Sequence, residues 1–88
     1  MSETRFGLGD IVRSRAGRDK GRTFVIVETL EEPWVRVCDG DLRKLERPKR
    51  KKIMHLMACP HLPKMLEVAE GEPVCDADIR KYLKKLEV

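Results

Sequence analysis

The sequence is poor in aromatic residues and has no long apolar run. Phenylalanine, tryptophan and tyrosine together make up 5% of the 88 residues, so a core built from this chain must rely on aliphatic side chains. Nowhere do the roughly 18 consecutive apolar residues of a membrane-spanning helix occur, and residues 1–7 contain no apolar stretch of signal-peptide length. We therefore expect a soluble protein of the cytoplasm that makes no membrane contact.

The sequence also lacks paired cysteines. The three cysteines, Cys38, Cys59 and Cys75, lie far apart and lack the paired spacing of a disulfide framework or a four-cysteine zinc site. A reducing compartment is the simplest inference.

The length excludes a large enzyme core. Eighty-eight residues are fewer than the roughly 100–200 of a typical domain, so we expect one small domain. The chain carries 19 lysines and arginines against 15 aspartates and glutamates, a net charge of +4. All of the excess lies in residues 1–52, which favours a polyanionic partner for that part of the chain.

Short alternating segments separated by turn residues predict a small β-barrel. We expect strands over Asp10–Ser14, Phe24–Leu30 and Trp34–Cys38. Asp39-Gly40 is typical of a hairpin turn with positive φ, which would lead into a returning strand over Leu42–Leu45. Ile53–Met57 is an apolar patch of strand length. Strands at intervals of about ten residues favour a closed barrel over alternating strands and helices.

The end of the chain predicts an amphipathic helix over 76–87, with aspartates in its first turn and lysines in its last. Apolar residues at i, i+3, i+4 and i+7 form one stripe: Ile79, Tyr82, Leu83 and Leu86. The predicted fold class is thus mainly β: a barrel over 1–57, an irregular connection over 58–75 with a short helical turn at 64–69, and a C-terminal α-helix over 76–88 packed on or beside the barrel.

A basic loop with two glycines follows the first predicted strand. Glycines allow a tight turn and the close approach of another backbone, while cationic side chains supply phosphate contacts. The spacing is not that of a nucleotide-triphosphate loop. The alternative interpretation is a turn with solvated charges. The candidate RNA-binding residues of this loop are Arg15, Arg18, Lys20 and Arg22.

A second basic segment spans residues 43–52, with seven basic residues and one acidic residue. So dense a run repels itself unless an anion neutralises it, although a solvated linker is the alternative. Its candidate RNA-binding residues are Arg43, Lys44, Lys49, Arg50, Lys51 and Lys52.

Trp34 and Arg36 share one face of their predicted strand, with valines on the other. A tryptophan on a basic barrel can stack on an unpaired base, but a lone tryptophan in a small core is more often structural. We assign it no binding role.

Two histidines and two cysteines invite a metal or thiol-catalysis interpretation: His55, Cys59, His61 and Cys75. Their spacing fits no standard zinc pattern, and no carboxylate or amide is placed to orient a histidine. We expect no metal, no cofactor, no catalytic residue and no small-molecule substrate.

The arrangement of Gly9–Ser14, Ala16–Arg22 and Phe24–Val27 resembles the KOW motif, in which a strand, a glycine-centred basic loop and a second strand lie inside an SH3-like barrel. Gly17, Lys20 and Gly21 fall on the pattern, while Phe24 stands where many KOW motifs have another glycine. The resemblance extends over about residues 6–56 to small bacterial KOW proteins that are similar to ribosomal proteins.

This resemblance implies a non-catalytic RNA-binding module associated with ribosomal RNA or translation, which docks the Arg15–Arg22 loop and the Arg43–Lys52 run on structured RNA. The alternative is a protein-interaction module of the transcription or ribosomal machinery, with the C-terminal helix as the face that binds the partner.

Overall fold

The computed structural model of the chain describes residues 6–86, which form a five-stranded antiparallel sheet and a C-terminal helix. The strands are β1 (Ile11–Ser14), β2 (Thr23–Thr29), β3 (Trp34–Cys38), β4 (Lys49–Lys52) and β5 (Leu56–Ala58), in the order β4-β3-β2-β1-β5. The helices are α1 (Leu66–Ala69) and α2 (Asp76–Leu86), and single 3-10 turns lie at Gly17–Asp19 and Ile53–His55. The β-rich fold with a C-terminal helix agrees with the sequence prediction.

The first three predicted strands are confirmed, because their alternation matches the two faces of the sheet. In β2, Phe24 and Ile26 face one apolar cluster and Val25 faces another. In β3, Val35 and Val37 are buried while Trp34 and Arg36 are only half-buried. A shift of register between β2 and β3 follows Ile26, and the predicted alternation holds up to that point.

The prediction of a returning strand over Leu42–Leu45 is wrong. The carboxylate of Asp39 accepts hydrogen bonds of 2.9 Å from the backbone N–H groups of Asp41 and Arg43, and this closes a compact turn in place of a two-residue hairpin. Gly40 does adopt the expected positive φ, at +78°. The strand that pairs with β3 is the basic run itself, with Trp34 opposite Lys52 and Val37 opposite Lys49.

The last predicted strand, Ile53–Met57, is confirmed only at its end. Ile53–His55 is a 3-10 turn, and β5 begins at Leu56 and pairs with β1. The predicted short helical turn at 64–69 is present as α1.

The sheet curls strongly, because β4 and β5 lie at its opposite edges although they follow one another closely in the chain. Four residue steps join the end of β4 to the start of β5 and reach about 14 Å at most, whereas the outer strands of a flat five-stranded sheet would be about 19 Å apart. Among residues 6–86, no pairing of β4 with β5 closes the sheet into a barrel.

The curled sheet separates two apolar clusters. The inner cluster contains Val12, Phe24, Ile26, Val35, Val37 and Leu56. The outer cluster joins Ile11, Val25 and Cys38 to residues of the 59–68 segment and of α2, namely Cys59, Met65, Val68, Ile79 and Leu83. The apolar stripe of α2 therefore packs on the outer face of the sheet, with Tyr82 and Leu86 partly buried beside it. The predicted end of the helix at 87–88 lies outside the described residues.

The turn after β3 approaches α2 closely. The guanidinium of Arg80 donates a 2.8 Å hydrogen bond to the carbonyl of Gly40, and the backbone N–H of Leu45 donates one of 2.7 Å to the Asp76 carboxylate. A Cβ at Gly40 would collide with the carbonyl oxygen of Asp76, so only glycine fits here. In the region covered by residues 6–86, no helix has the length and apolar character needed to cross a bilayer.

Candidate nucleic-acid interface

A buried lysine joins the basic loop to the basic strand. The side chain of Lys51, on β4, is 9% exposed, and its ammonium donates a 2.9 Å hydrogen bond to the Ser14 hydroxyl and one of 3.5 Å to the Ala16 carbonyl. The Asp19 carboxylate lies 4.0 Å from the Lys51 ammonium and 3.6 Å from that of Lys49. The basic loop and β4, which begins 27 positions after Arg22, are thus held together by hydrogen bonds and ion pairs.

The loop between β1 and β2 is fixed by its own backbone as well. Gly17 and Gly21 have φ of +77° and +89°, and the N–H of Gly21 donates to the Ser14 carbonyl at 2.9 Å. The N–H of Ser14 donates to the Arg22 carbonyl, also at 2.9 Å. The loop is therefore a compact turn with a defined backbone.

Three cations of this loop point into solvent. Arg15, Arg18 and Lys20 are exposed, and within residues 6–86 none of them forms an ion pair with a carboxylate. Arg22 differs, because its guanidinium lies 3.3 Å from the nearly buried carboxylate of Asp39 and holds the end of the loop against the turn that follows β3. The first three are the loop residues available for an anionic ligand.

The period of two in β4 divides its four cations between two faces of the strand. Lys49 and Lys51 point toward the loop and Asp19, while Arg50 and Lys52 point to the outer face of the sheet. There the guanidinium carbon of Arg50 lies 3.9 Å from the centroid of the Trp34 ring, and the Lys52 ammonium lies 5.4 Å from it. Of these four candidate RNA-binding residues, Lys51 is buried, so its side chain is engaged inside the protein and is not free for an anionic ligand.

Arg43 and Lys44 lie in the turn that precedes β4. The backbone of Arg43 is bound to Asp39 in both directions, by its N–H at 2.9 Å and by its carbonyl at 3.0 Å. Arg43 is half-buried and Lys44 is exposed, and neither takes part in the ion pairs that join the loop to β4. The structure thus places these two candidates apart from that junction.

Two cations of α2 lie near the loop and were missed from the sequence. A shallow cleft of about 360 Å³ beside Gly21 and Arg22 is also lined by Arg80 and Lys84. Asp39 and Asp41 lie in the same cleft, so its charge is mixed. Nothing local in the sequence connects these helix residues to a loop some 60 positions earlier, because only the packing of α2 on the sheet brings them together.

The cysteines and histidines are dispersed. Cys59 is buried in the outer cluster, whereas His55, His61 and Cys75 are exposed. In the part of the chain that the structure describes, no three His, Cys, Asp or Glu side chains lie together in a way that could hold a metal ion. Burial, with help from the nearby carboxylates of Asp76 and Asp39, raises the pKa of the Cys38 thiol to about 12. That thiol is protonated, and hence a poor nucleophile, at neutral pH.

A second cleft, of about 570 Å³, lies between β1 and the 58–64 segment and is mostly apolar. Its acidic group, Asp10, is already engaged: the carboxylate accepts a 2.8 Å hydrogen bond from the N–H of Gly7 and lies 3.7 Å from the Lys64 ammonium. Cys59 lines this cleft, and within residues 6–86 no histidine lines it. The exposed cations of the loop and of β4 are therefore the strongest functional feature of the described residues.

No protein-family model matches this chain, and no curated protein matches it either.

Proposed function

We propose that the protein is a non-catalytic RNA-binding module built on an SH3-like barrel of the KOW type. The observation that carries this proposal is the buried Lys51, which brings the basic loop onto the basic strand. The resemblance of residues 9–27 to the KOW motif implies structured RNA as the ligand, with ribosomal RNA and the translation machinery as its setting.

The fold supports this proposal. β1, the Arg15–Arg22 loop and β2 follow one another as the strand, basic loop and strand of the motif, and Gly17 and Gly21 both have positive φ. The strong curl of the sheet suits a small barrel of five strands.

Electrostatics would supply the affinity. Arg15, Arg18 and Lys20 are exposed cations with no carboxylate partner among residues 6–86, so no internal ion pair has to be broken before they bind a phosphate. Each phosphate that a cation neutralises releases condensed counterions, which favours binding and makes it sensitive to salt. Contacts of this kind position a protein on a folded backbone and carry little base-sequence information.

The alternative, a protein-binding face on the C-terminal helix, has lost its main support. The apolar stripe on which it depended is packed on the sheet, with Ile79 fully buried and Leu83 7% exposed.

The test is a titration of a labelled RNA hairpin at several salt concentrations. The loop variant carries Arg18→Gln and Lys20→Gln; the matched control carries Lys81→Gln and Lys85→Gln, which remove the same charge from exposed positions of α2. The loop variant should bind more weakly, and its slope of log K against log salt should be flatter by about 1.4–1.8, since each lost phosphate contact reduces it by about 0.7–0.9. The control should keep the parent slope.

Two results would contradict the proposal. If the hairpin does not bind the parent protein at low salt, the RNA-binding function is wrong. If both variants lose affinity to the same extent, net charge and not the loop is responsible. Thermal melts of both variants verify that the fold is intact.

A further inference from the structure

Trp34 lies outside both apolar clusters of the fold. It is half-buried on the outer face of β3, whereas its neighbours Val35 and Val37 enter the inner cluster. The single tryptophan of a chain with few aromatic residues is thus not used in the core.

Two cations of β4 are held over this ring. Lys52 is directly opposite Trp34 in the antiparallel register, and Arg50 is diagonal to it. The 3.9 Å between the guanidinium carbon and the ring centroid is a stacking distance, well inside the roughly 6 Å limit of a cation–π contact. Arg50 is an exposed residue. One face of its guanidinium lies against the indole, so the opposite face is the one that a ligand would approach.

Neither of these cations has a carboxylate partner within residues 6–86. Arg36, opposite Arg50 in the register, is paired with Glu28 at 2.9 Å. Like charges directly across two strands destabilise the pair, so stability alone does not account for an unpaired arginine beside Arg36. The arrangement presents a planar, positively charged surface that an anion can neutralise.

We propose that Trp34, Arg50 and Lys52 form a subsite for one unpaired nucleotide of the bound RNA. The base stacks on the open face of the Arg50 guanidinium, which the indole of Trp34 supports from behind, and Lys52 pairs with the adjoining phosphate. Unpaired bases stack on aromatic rings and on arginine planes, whereas bases inside a duplex present no free face. This inference rests on the proposed RNA-binding function and adds to it a preference for RNA that contains a single-stranded loop or bulge.

Because the chain has one tryptophan, its fluorescence reports on this site alone. The probes are a single-stranded oligouridylate and the same strand paired with oligoadenylate. The single strand should shield Trp34 from quenching by acrylamide, and the duplex should leave it accessible. The comparison is made at RNA concentrations that saturate the protein.

The decisive variant is Arg50→Lys, which keeps the charge and removes the planar group. Its affinity for the single strand should fall by about 5- to 150-fold, the range that stacking of one base accounts for, while its salt slope stays at the parent value. Arg13→Lys is the matched control, because it makes the same exchange at an exposed position of β1 that is outside the proposed interface and forms no cation–π contact within residues 6–86. The control should bind the single strand as the parent does.

The outcomes separate this inference from the function on which it rests. If the hairpin binds and the single strand leaves Trp34 accessible to acrylamide, the nucleotide subsite is wrong and the RNA-binding function stands. If Arg50→Lys weakens the duplex and the single strand equally, Arg50 is an ordinary phosphate contact and the subsite is again wrong. If no RNA binds at all, both proposals fall.

Discussion

Cys38 and Trp34 lie at opposite ends of β3 and point to the same side of the sheet, yet their surroundings differ completely. Cys38 is fully buried in the outer cluster with Ile79 and Leu83 of α2, whereas Trp34 lies outside both clusters under Arg50. The helix has 11 residues and is about 16 Å long, so it covers only part of this face. The covered end of the sheet is apolar and the uncovered end is cationic.

The comparison shows that strand alternation assigns a side chain to a face but does not determine whether that face is core. The face becomes core only where an element later in the chain, here α2, packs on it. It follows that substitutions at the covered end should act on stability, and substitutions at the uncovered end should act on binding.

The largest effect on stability is expected for Gly40→Ala at the covered end. The new Cβ would collide with the Asp76 carbonyl, lie 2.9 Å from the backbone nitrogen of Arg80, and require a φ of +78°. Displacing the first turn of α2 in addition to this backbone strain should lower the free energy of unfolding by about 3 kcal/mol or more. Urea denaturation measures the change.

Gly17→Ala is the matched control for that substitution. Gly17 has nearly the same φ, +77°, but a Cβ there would have nothing within 4 Å. Its loss should be about 1–2 kcal/mol, the cost of the left-handed conformation alone. Equal losses in the two variants would show that the approach of α2 to Gly40 contributes nothing.

A second, smaller contrast compares an apolar residue at each end of the face. Ile79→Ala removes a side chain that is fully buried against the sheet and should cost about 2–4 kcal/mol. Trp34→Leu, which keeps an apolar group at a half-buried position outside both clusters, should cost less than about 1 kcal/mol. A larger loss for Trp34→Leu than for Ile79→Ala in thermal or urea unfolding would reverse the assignment of the two ends.

The smallest effect concerns pH at the covered end. Because the pKa of Cys38 is raised from 9.0 to about 12 on folding, the unfolded chain releases this proton first as pH rises. Stability is therefore lost from about pH 9 upward, on the order of 1 kcal/mol at pH 10. Urea unfolding at pH 8 and pH 10 should show a smaller loss in Cys38→Ala than in the parent, because the other titrating groups are common to both. Identical losses would mean that the thiol is not protected by the fold.

The elements with strong periodicity could be predicted from the sequence. β2 follows from alternating β-branched residues, and α2 from a stripe at helical spacing that the structure buries against the sheet. In both cases the pattern lies within one element, and it predicts which side chains of that element are buried.

β4 could not be found in this way, since it contains only cations and shows no apolar alternation. Its position depends on β3, which pairs with its backbone, and on Ser14 and Asp19, whose side chains bind the Lys51 ammonium. Those two residues lie 37 and 32 positions earlier in the chain. The sequence thus predicted the two basic segments of the candidate site. Only the tertiary structure showed that they are joined, and that the side chains of β4 are divided between the loop and Trp34.

The bracing of the basic loop also bears on the entropy of binding. Lys51, the backbone hydrogen bonds of Ser14 and the two left-handed glycines fix the loop in the free protein. Ordering the backbone of a flexible loop costs about 1–2 kcal/mol per residue, and a loop that must be ordered by its ligand loses that amount from the affinity. In this protein the entropic cost of ordering the loop is incurred on folding. An anion therefore binds to exposed cations on a backbone that is already ordered.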